Sequence, residues 1–334
     1  MKKAIVILFL IFILLLTSCS YGSGITGASV VNITHNDEIN KKTLDSVKSL
    51  DDQVLDDLKN NNLDKICDIS SEGLKKLEDS NKDEFDNIPK SIKDKSFEYQ
   101  DRYYCETSKI GKTNFEINTK DSLYSIDLEV ASKEMFISLI KSNSKSDDYI
   151  LVLVYIKEQE QWKLNALNWG SYSFDGMNAI DLYEKAKSLD SQGYKIPAAT
   201  YLKLSDSVLT PIPFVHYKRE REIEDYMTKT SDNFKKSNQF PEELENYRNI
   251  KIYDFDVKYV DGSGIVPFIK YTTNTDLDNK DAIEKEANNI NGDVTNLYQG
   301  MKENFNNIVY EAYSEPPIDP KKTYNCYRTE VKQN

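Results

Sequence analysis

The spacing of apolar positions changes period along this chain, and each change marks a different kind of element. Leu44, Val47, Leu50, Val54, Leu55 and Leu58 recur every three or four residues with acids and lysines between them, the pattern of an amphipathic helix. Asn60-Asn61-Asn62 ends it, and Leu63, Ile66, Cys67, Ile69, Leu74 and Leu77 predict a second, shorter helical segment interrupted near Ser70 and Gly73. A third helix is predicted within Asp83 to Ile92, with Pro89 removing a backbone donor inside it. From Ser96 the period becomes two: Phe97, Tyr99, Tyr103 and Cys105, then Phe115 and Ile117, then Leu123, Ile126, Leu128 and Val130 alternate with polar residues as strands of a meander. Tyr149 to Ile156 is apolar throughout and rich in β-branched residues, which predicts a central strand covered on both faces. Glu158-Gln159-Glu160-Gln161 is the turn that follows, and Trp162, Leu164, Ala166 and Trp169 form the returning strand.

After Asp175-Gly176 the helical period returns. Ile180, Leu182, Tyr183, Ala186 and Leu189, a turn at Gly193, then Ala198, Tyr201, Leu202, Leu204 and Val208 predict a helical hairpin that stops before Pro211. A charged helix follows from Lys218 to about Lys236. Beyond Pro241, Ile250, Ile252, Phe255 and Val257 lead into Asp261-Gly262, a strong hairpin signal, and out through Ile265, Val266, Phe268 and Ile269. Asp281 to Phe305 is predicted as one helix, and residues 308–313 and 323–327 as final strands. The fold class is α+β: helices packed on a curved antiparallel sheet, a helical hairpin, then a second small β-β-α-β-β domain built as one helix on an antiparallel sheet.

The N-terminus carries an address. Lys2 and Lys3 precede an unbroken apolar run, Ala4 to Leu16, of 13 residues. That is too short for a bilayer core needing about 20 residues, and it reads as the core of a signal peptide. Leu16-Thr17-Ser18-Cys19 resembles the lipobox of bacterial lipoproteins. The resemblance implies removal of residues 1–18 and lipidation of Cys19, and two or more acyl chains anchor a protein stably. The small, polar, glycine-rich stretch after Cys19 predicts a lipidated flexible tether over residues 19–39, with a reach on the order of 25 Å. The implied location is the extracytoplasmic side of a bacterial membrane; Ser20 resembles the pattern that sorts to the outer membrane where a cell has two.

Two helical segments followed by a meander, a long apolar strand, a polar turn and Trp162-Lys163-Leu164 resemble the nuclear transport factor two-like (cystatin-like) cone superfamily, over roughly Leu44 to Phe174. The resemblance implies a sheet curled around its helices with a concave mouth, where many members bind small molecules or partners and a minority are enzymes. The chain is therefore divided into a cone-like α+β domain at 40–175, a hairpin and connecting helix at 176–240, and a C-terminal α+β domain at 241–334. Ala186, Leu189, Gly193, Ala198 and Leu202 are spaced like one tetratricopeptide repeat, but no second copy follows, and a lone repeat is read as a packing hairpin between domains.

Charge and chemistry narrow the function. The net charge of −12 becomes −14 once Lys2 and Lys3 are removed, which opposes nucleic-acid binding and leaves membrane attachment to the lipid. With Cys19 assigned to lipid, Cys67 and Cys105 of the first domain are a candidate disulfide in an exported compartment, the alternative being small buried thiols. No Cys-x-x-Cys occurs, and His35 and His216 stand apart, so no metal or cofactor is expected. Asp276-Leu277-Asp278-Asn279-Lys280-Asp281 has the spaced acids of a calcium loop but fails it, with Lys280, Asp281 and Ala287 at the fifth, sixth and twelfth positions; it is read as a helix start. An acid-base enzyme of cone type would draw on Tyr103, Tyr104, Tyr124, Tyr149, Tyr155, Asp127 and Asp175, but their number carries no weight among 22 tyrosines and 55 acids.

The expectation is a lipid-anchored envelope protein without catalytic residues, acting as a binding or scaffold component toward an envelope protein partner. The alternatives are capture of a small apolar ligand in the cone, and acid-base catalysis there. Cys19→Ala is expected to abolish membrane fractionation; a processed variant that stays stably in the membrane fraction would remove the anchor.

Overall fold

A computed structural model describes residues 31–334, except 81–84, 86, 87, 93, 94, 109, 111–113, 119–122, 144–146, 238, 239, 261, 320 and 334. The expected leader and Cys19 lie outside the described residues. The chain is α+β, with three sheets, the largest strongly curled.

That sheet has six strands in the order β1-β2-β5-β6-β7-β8, all antiparallel: β1 (Val31–His35), β2 (Ser96–Thr107), β5 (Glu134–Asn143), β6 (Asp147–Glu158), β7 (Gln161–Phe174) and β8 (Met177–Asn178). Register breaks at Tyr99/Asp101 and Val154/Tyr155 add the bulges that bend it. The run Tyr149–Ile156 is the doubly covered strand its composition predicts. Leu151, Leu153 and Tyr155 face one core, with Phe136, Ile140, Leu164 and Leu167. Ile150, Val152, Val154 and Ile156 face the other, with Ile137 and Leu139.

Helices α1 (Lys41–Lys59), α2 (Leu63–Ile69), α3 (Glu72–Ser80) and α4 (Ile88–Ile92) cover the first face through Val47, Val54, Leu58, Ile66, Leu74 and Ile92. Asn40 caps α1 by accepting from the Lys42 N–H. Of the third helix expected over Asp83 to Ile92, α4 is the described part; residues 83, 84, 86 and 87 lie outside the description.

Three expectations are corrected in the first two-thirds of the chain. Residues 31–35 are not tether but an edge strand paired with Tyr103–Thr107, and Asn36–Glu38 is a short 3-10 turn; the apolar alternation there is only Val31 and Ile33, too short to separate the strand from the small polar stretch before it. The strands around Phe115 and Ile126 do not join the meander. β3 (Asn114–Asn118) and β4 (Tyr124–Glu129) instead form a three-stranded sheet with β9 (Val215–Tyr217), against the second face. No bridge joins Cys67 to Cys105, because Cys105 is buried on the second face whereas α2, which carries Cys67, packs on the first. Burial pushes the Cys105 thiol up to about 12, so it stays protonated and inert.

The hairpin of α5 (Ala179–Ser191) and α6 (Lys195–Ser207) turns at Gly193, where φ is +86°. It is buried from both sides. Leu182, Tyr183, Ala186 and Leu189 share the second core with the large sheet, while Tyr201 stacks on Phe305 and Lys203 donates to the Phe255 carbonyl of the C-terminal part. One continuous core therefore crosses both expected domain boundaries. Helix α7 (Glu220–Ser237) is tied to the hairpin by Arg219, which donates to Glu184 at 2.6 Å and to Glu222.

The C-terminal sheet runs β10-β11-β12-β13-β14, with β10 (Glu242–Leu244), β11 (Tyr247–Val260), β12 (Gly264–Thr272), β13 (Asn307–Tyr313) and β14 (Cys326–Lys332). It is not wholly antiparallel: β12 and β13 pair in parallel, because helix α8 (Lys280–Leu297) returns the chain to the starting end of the sheet before β13 begins. The expected single helix to Phe305 breaks at Tyr298 to Gly300, where Gly300 has φ +85°, and resumes as α9 (Met301–Asn304).

Gly170 on β7 has no room for a side chain, since an added Cβ would lie 1.7 Å from the Pro211 carbonyl oxygen; Gly292 in α8 has open space around it. Gly170→Ala is expected to lower stability by roughly 2–4 kcal/mol. Gly292→Ala is expected to raise it by up to about 1 kcal/mol. Denaturant titration of both reads the contrast, and equal small effects would mean that the Pro211 segment simply yields.

Candidate functional site

The carboxylate-and-tyrosine arrangement that an acid-base enzyme would need does form, around a residue the apolar pattern passes over. Val47, Asp51, Val54 and Leu58 lie on one stripe of α1, so a carboxylate interrupts the apolar seam that packs on the sheet. β5 and β6 present Ser138 and Tyr155 to it. Ser138 Oγ donates to Asp51 Oδ2 at 2.7 Å and the Tyr155 hydroxyl donates to Oδ1 at 2.9 Å. All three residues are 0% exposed. Burial pushes the Asp51 carboxyl up to about 6, against the two hydrogen bonds and the Arg102 guanidinium, which favour ionisation. Burial, and then the Asp51 charge, push the Tyr155 phenol well above its ordinary value. Toward the surface, Arg102 stacks over Tyr99 at 4.1 Å, and Asp52 pairs with Lys48 at 2.7 Å.

This cluster does not offer a reaction site in the folded protein. Each Asp51 oxygen is engaged by a neighbour, the tyrosine points at the carboxylate rather than at a space beside it, and neither is open to solvent. Its chemistry is that of a buried polar tie between a helix and two strands.

The other tyrosines and acids of the sequence reading are scattered. Tyr103 is buried with Cys105 on the opposite face. Tyr104 lies on the helix side but donates to Glu134 and Glu106. Tyr149 stacks on Trp169 with ring centres 4.8 Å apart. Tyr124 meets Tyr217 edge-on, in the small sheet. Asp175 occupies the turn after β7 at φ +49°. Asp127 is exposed on β4, where His216 reaches it: Nε2 stands 3.9 Å from Asp127 and Nδ1 stands 3.2 Å from Glu220. The two carboxylates address opposite ring nitrogens, so the three groups do not converge on one ion. Among the described residues no group of three ligands gathers as a metal site. The acidic run from Asp276 is the helix start it was read as, with Asn279 capping α8 and Asp276 Oδ1 accepting from the Asp278 N–H.

An open recess lies elsewhere, at the C-terminal ends of the parallel strands β12 and β13. It has a volume of about 410 Å³ and is walled by Thr273–Leu277, Ser314 and Asn325. Glu286 of α8 underlies it. The Tyr271 hydroxyl donates to Oε1 at 3.1 Å, and Thr273 and Thr275 donate to Oε2 at 3.0 and 2.9 Å, so the carboxylate fixes the loop from beneath. The Thr273 N–H also bonds the Tyr313 carbonyl at 2.9 Å, stapling the ends of the two strands together. Sequence reading missed this site because its residues come from separate loops; the helix-length connection between two strands was the signal that could have located it.

Comparison of the chain with protein-family models, curated proteins and solved structures finds no match in any of the three.

Asp51 makes stability depend on pH. Its carboxyl ionises near 3.8 in the unfolded chain and near 6 when folded, so across that window the unfolded state loses the proton first and stability falls as pH rises. The decrease is on the order of 3 kcal/mol, complete above about pH 7. Asp51→Asn is expected to remove this component. Urea unfolding of both proteins from pH 4 to pH 7 isolates it as a difference, and parallel curves would show that Asp51 does not titrate there.

Proposed function

We propose that this chain is a lipid-anchored component of a bacterial cell envelope that works by binding, as a scaffold or interaction partner, rather than by catalysis. One observation carries the non-catalytic reading: the helix side of the large sheet is filled. Phe136, Tyr155, Leu151 and Leu153 are closed over by α1, with Trp162, Trp169 and Tyr99 packed at the margin. Asp51, the most deeply buried carboxylate there, is engaged by Ser138 and Tyr155, and Asp57, also buried on α1, pairs with Lys65 at 3.7 Å. A cone that takes a small apolar ligand needs a cavity at this place, and an acid-base enzyme needs a substrate beside Asp51; the packing favours neither.

The membrane attachment rests on the lipobox resemblance at Leu16 to Cys19. Residues 20–30 separate that cysteine from the first described strand, and 11 residues span at most about 40 Å. The body would work close to the membrane, with the edge strand Val31–His35 nearest the anchor. A net charge of −12 keeps it off anionic headgroups and off nucleic acid.

Native mass spectrometry of the lipoprotein in mild detergent, with cross-linking in intact cells, tests the reading. A stoichiometric protein partner is the expected result. A protein that stays alone in both experiments, or turns over a substrate at a rate that Asp51→Asn abolishes, would overturn it.

A further inference from the structure

We propose that the recess at the ends of β12 and β13 binds a saccharide of one or two rings. The proposal deepens the binding role argued above by naming a ligand class and a place for it. In a parallel pair both chains leave at the carboxyl ends on the same side, and where they diverge an opening is left between the departing loops. Here the loops are held from behind. Glu286 ties down Thr273 and Thr275, and the second loop is braced by the edge-on contact of Tyr313 with Tyr324, by the Asp319 N–H donating to the Tyr324 hydroxyl and by the pairing of Lys322 with Glu315 at 2.6 Å. The opening is preformed rather than created on binding.

The lining selects the ligand. Asn274, Ser314 and Asn325 line the recess, and their side chains make no hydrogen bond to a described residue; Asp276 spends one oxygen on the Asp278 N–H and keeps the other. Two amides, each with paired donors and an acceptor, a hydroxyl and a carboxylate oxygen form a set that matches adjacent sugar hydroxyls, which donate and accept at once. No lysine or arginine lines the recess and Asp276 does, which disfavours phosphates and other anions. Leu277 is its one large apolar side chain, too little for a lipid but enough to lie against the C–H face of a ring. The recess is open, with a volume of about 410 Å³, room for one or two rings lying partly in solvent.

The test uses the full-length lipoprotein in a polyoxyethylene detergent, whose headgroup carries no sugar. Maltose and N,N′-diacetylchitobiose are titrated to 10 mM and followed by saturation-transfer NMR, with calcium chloride as a separate arm. At least one sugar is expected to show saturable transfer, weakened about tenfold by Asn274→Ala or by Asn325→Ala. Neither side chain is bonded within the described protein, so both variants should keep the parent unfolding temperature. Absence of transfer at 10 mM, transfer unaffected by both substitutions, or calcium binding that needs Asp276 while neither sugar binds, would each overturn the proposal. The measurement needs no partner protein, so its failure leaves the partner experiment standing, and a failed partner search leaves this one standing.

Discussion

The strand Asp147–Glu158 is shared by two separate apolar cores, and the arrangement of everything around it follows from having to cover both of its faces. A strand carrying Ile150, Val152 and Val154 on one side and Leu151, Leu153 and Tyr155 on the other cannot sit at the surface of a two-layer sandwich. Each of these side chains contributes about 1.5–3 kcal/mol on full burial, and exposing either face would forfeit several of them. The helices α1 to α4 close one side. The other is closed by two elements that the meander alone would not have required, the small sheet of β3, β4 and β9 and the hairpin of α5 and α6. The hairpin cannot then act as an open repeat groove, because its second helix is also the layer on which the C-terminal sheet rests through Tyr201, Phe305 and Lys203.

Within that frame Asp51 is a costly residue with a positional consequence. A carboxylate in the seam of α1 is desolvated, and the Ser138 and Tyr155 hydroxyls, from two neighbouring strands, bond its two oxygens. Sliding α1 by one turn would move it about 5.4 Å, away from both donors and onto the apolar rows of Phe136 and Ile140. The same logic accounts for its raised carboxyl pKa without invoking chemistry, since groups that fix a helix are perturbed by the burial that makes them effective.

Much of this was legible in the chain, and the failures have physical causes. The doubly covered strand, the turn at Gln159-Glu160 and the hairpin turning at Gly193 were marked by local patterns that nothing in the tertiary structure contradicts. The parallel pairing of β12 with β13 was not visible in the strands themselves, because alternation has the same form in either direction; the information sat in the length of the connecting helix. The edge strand Val31–His35 is held by backbone pairing to β2, and its alternation of Val31 and Ile33 with polar residues is too short to stand out from the polar stretch around it. Asp51 was hidden because an acid is read as the solvent side of a helix, yet it falls in line with Val47, Val54 and Leu58. The recess left no local trace, since Asn274, Ser314 and Asn325 are ordinary loop residues until the sheet brings them together.

These points converge on where function can reside. Both faces of the large sheet and both sides of the hairpin are committed to packing, which leaves edges, turns and loop clusters as the open surfaces among the described residues. Among the described hairpins, β6 to β7 closes in two residues and β7 to β8 in two, tips too tight to enclose anything. Only β12 and β13, among the described strand pairs, are parallel, and only there do two adjacent strands release their chains on the same side. The recess is thus a consequence of the one crossover helix in the C-terminal sheet. Its carboxylate support, Glu286, comes from that same helix, about two turns beyond the capped start, where it meets hydroxyls from β12 and from the loop that β12 enters. The element that made the pairing parallel also supplies the group that holds the resulting opening in shape.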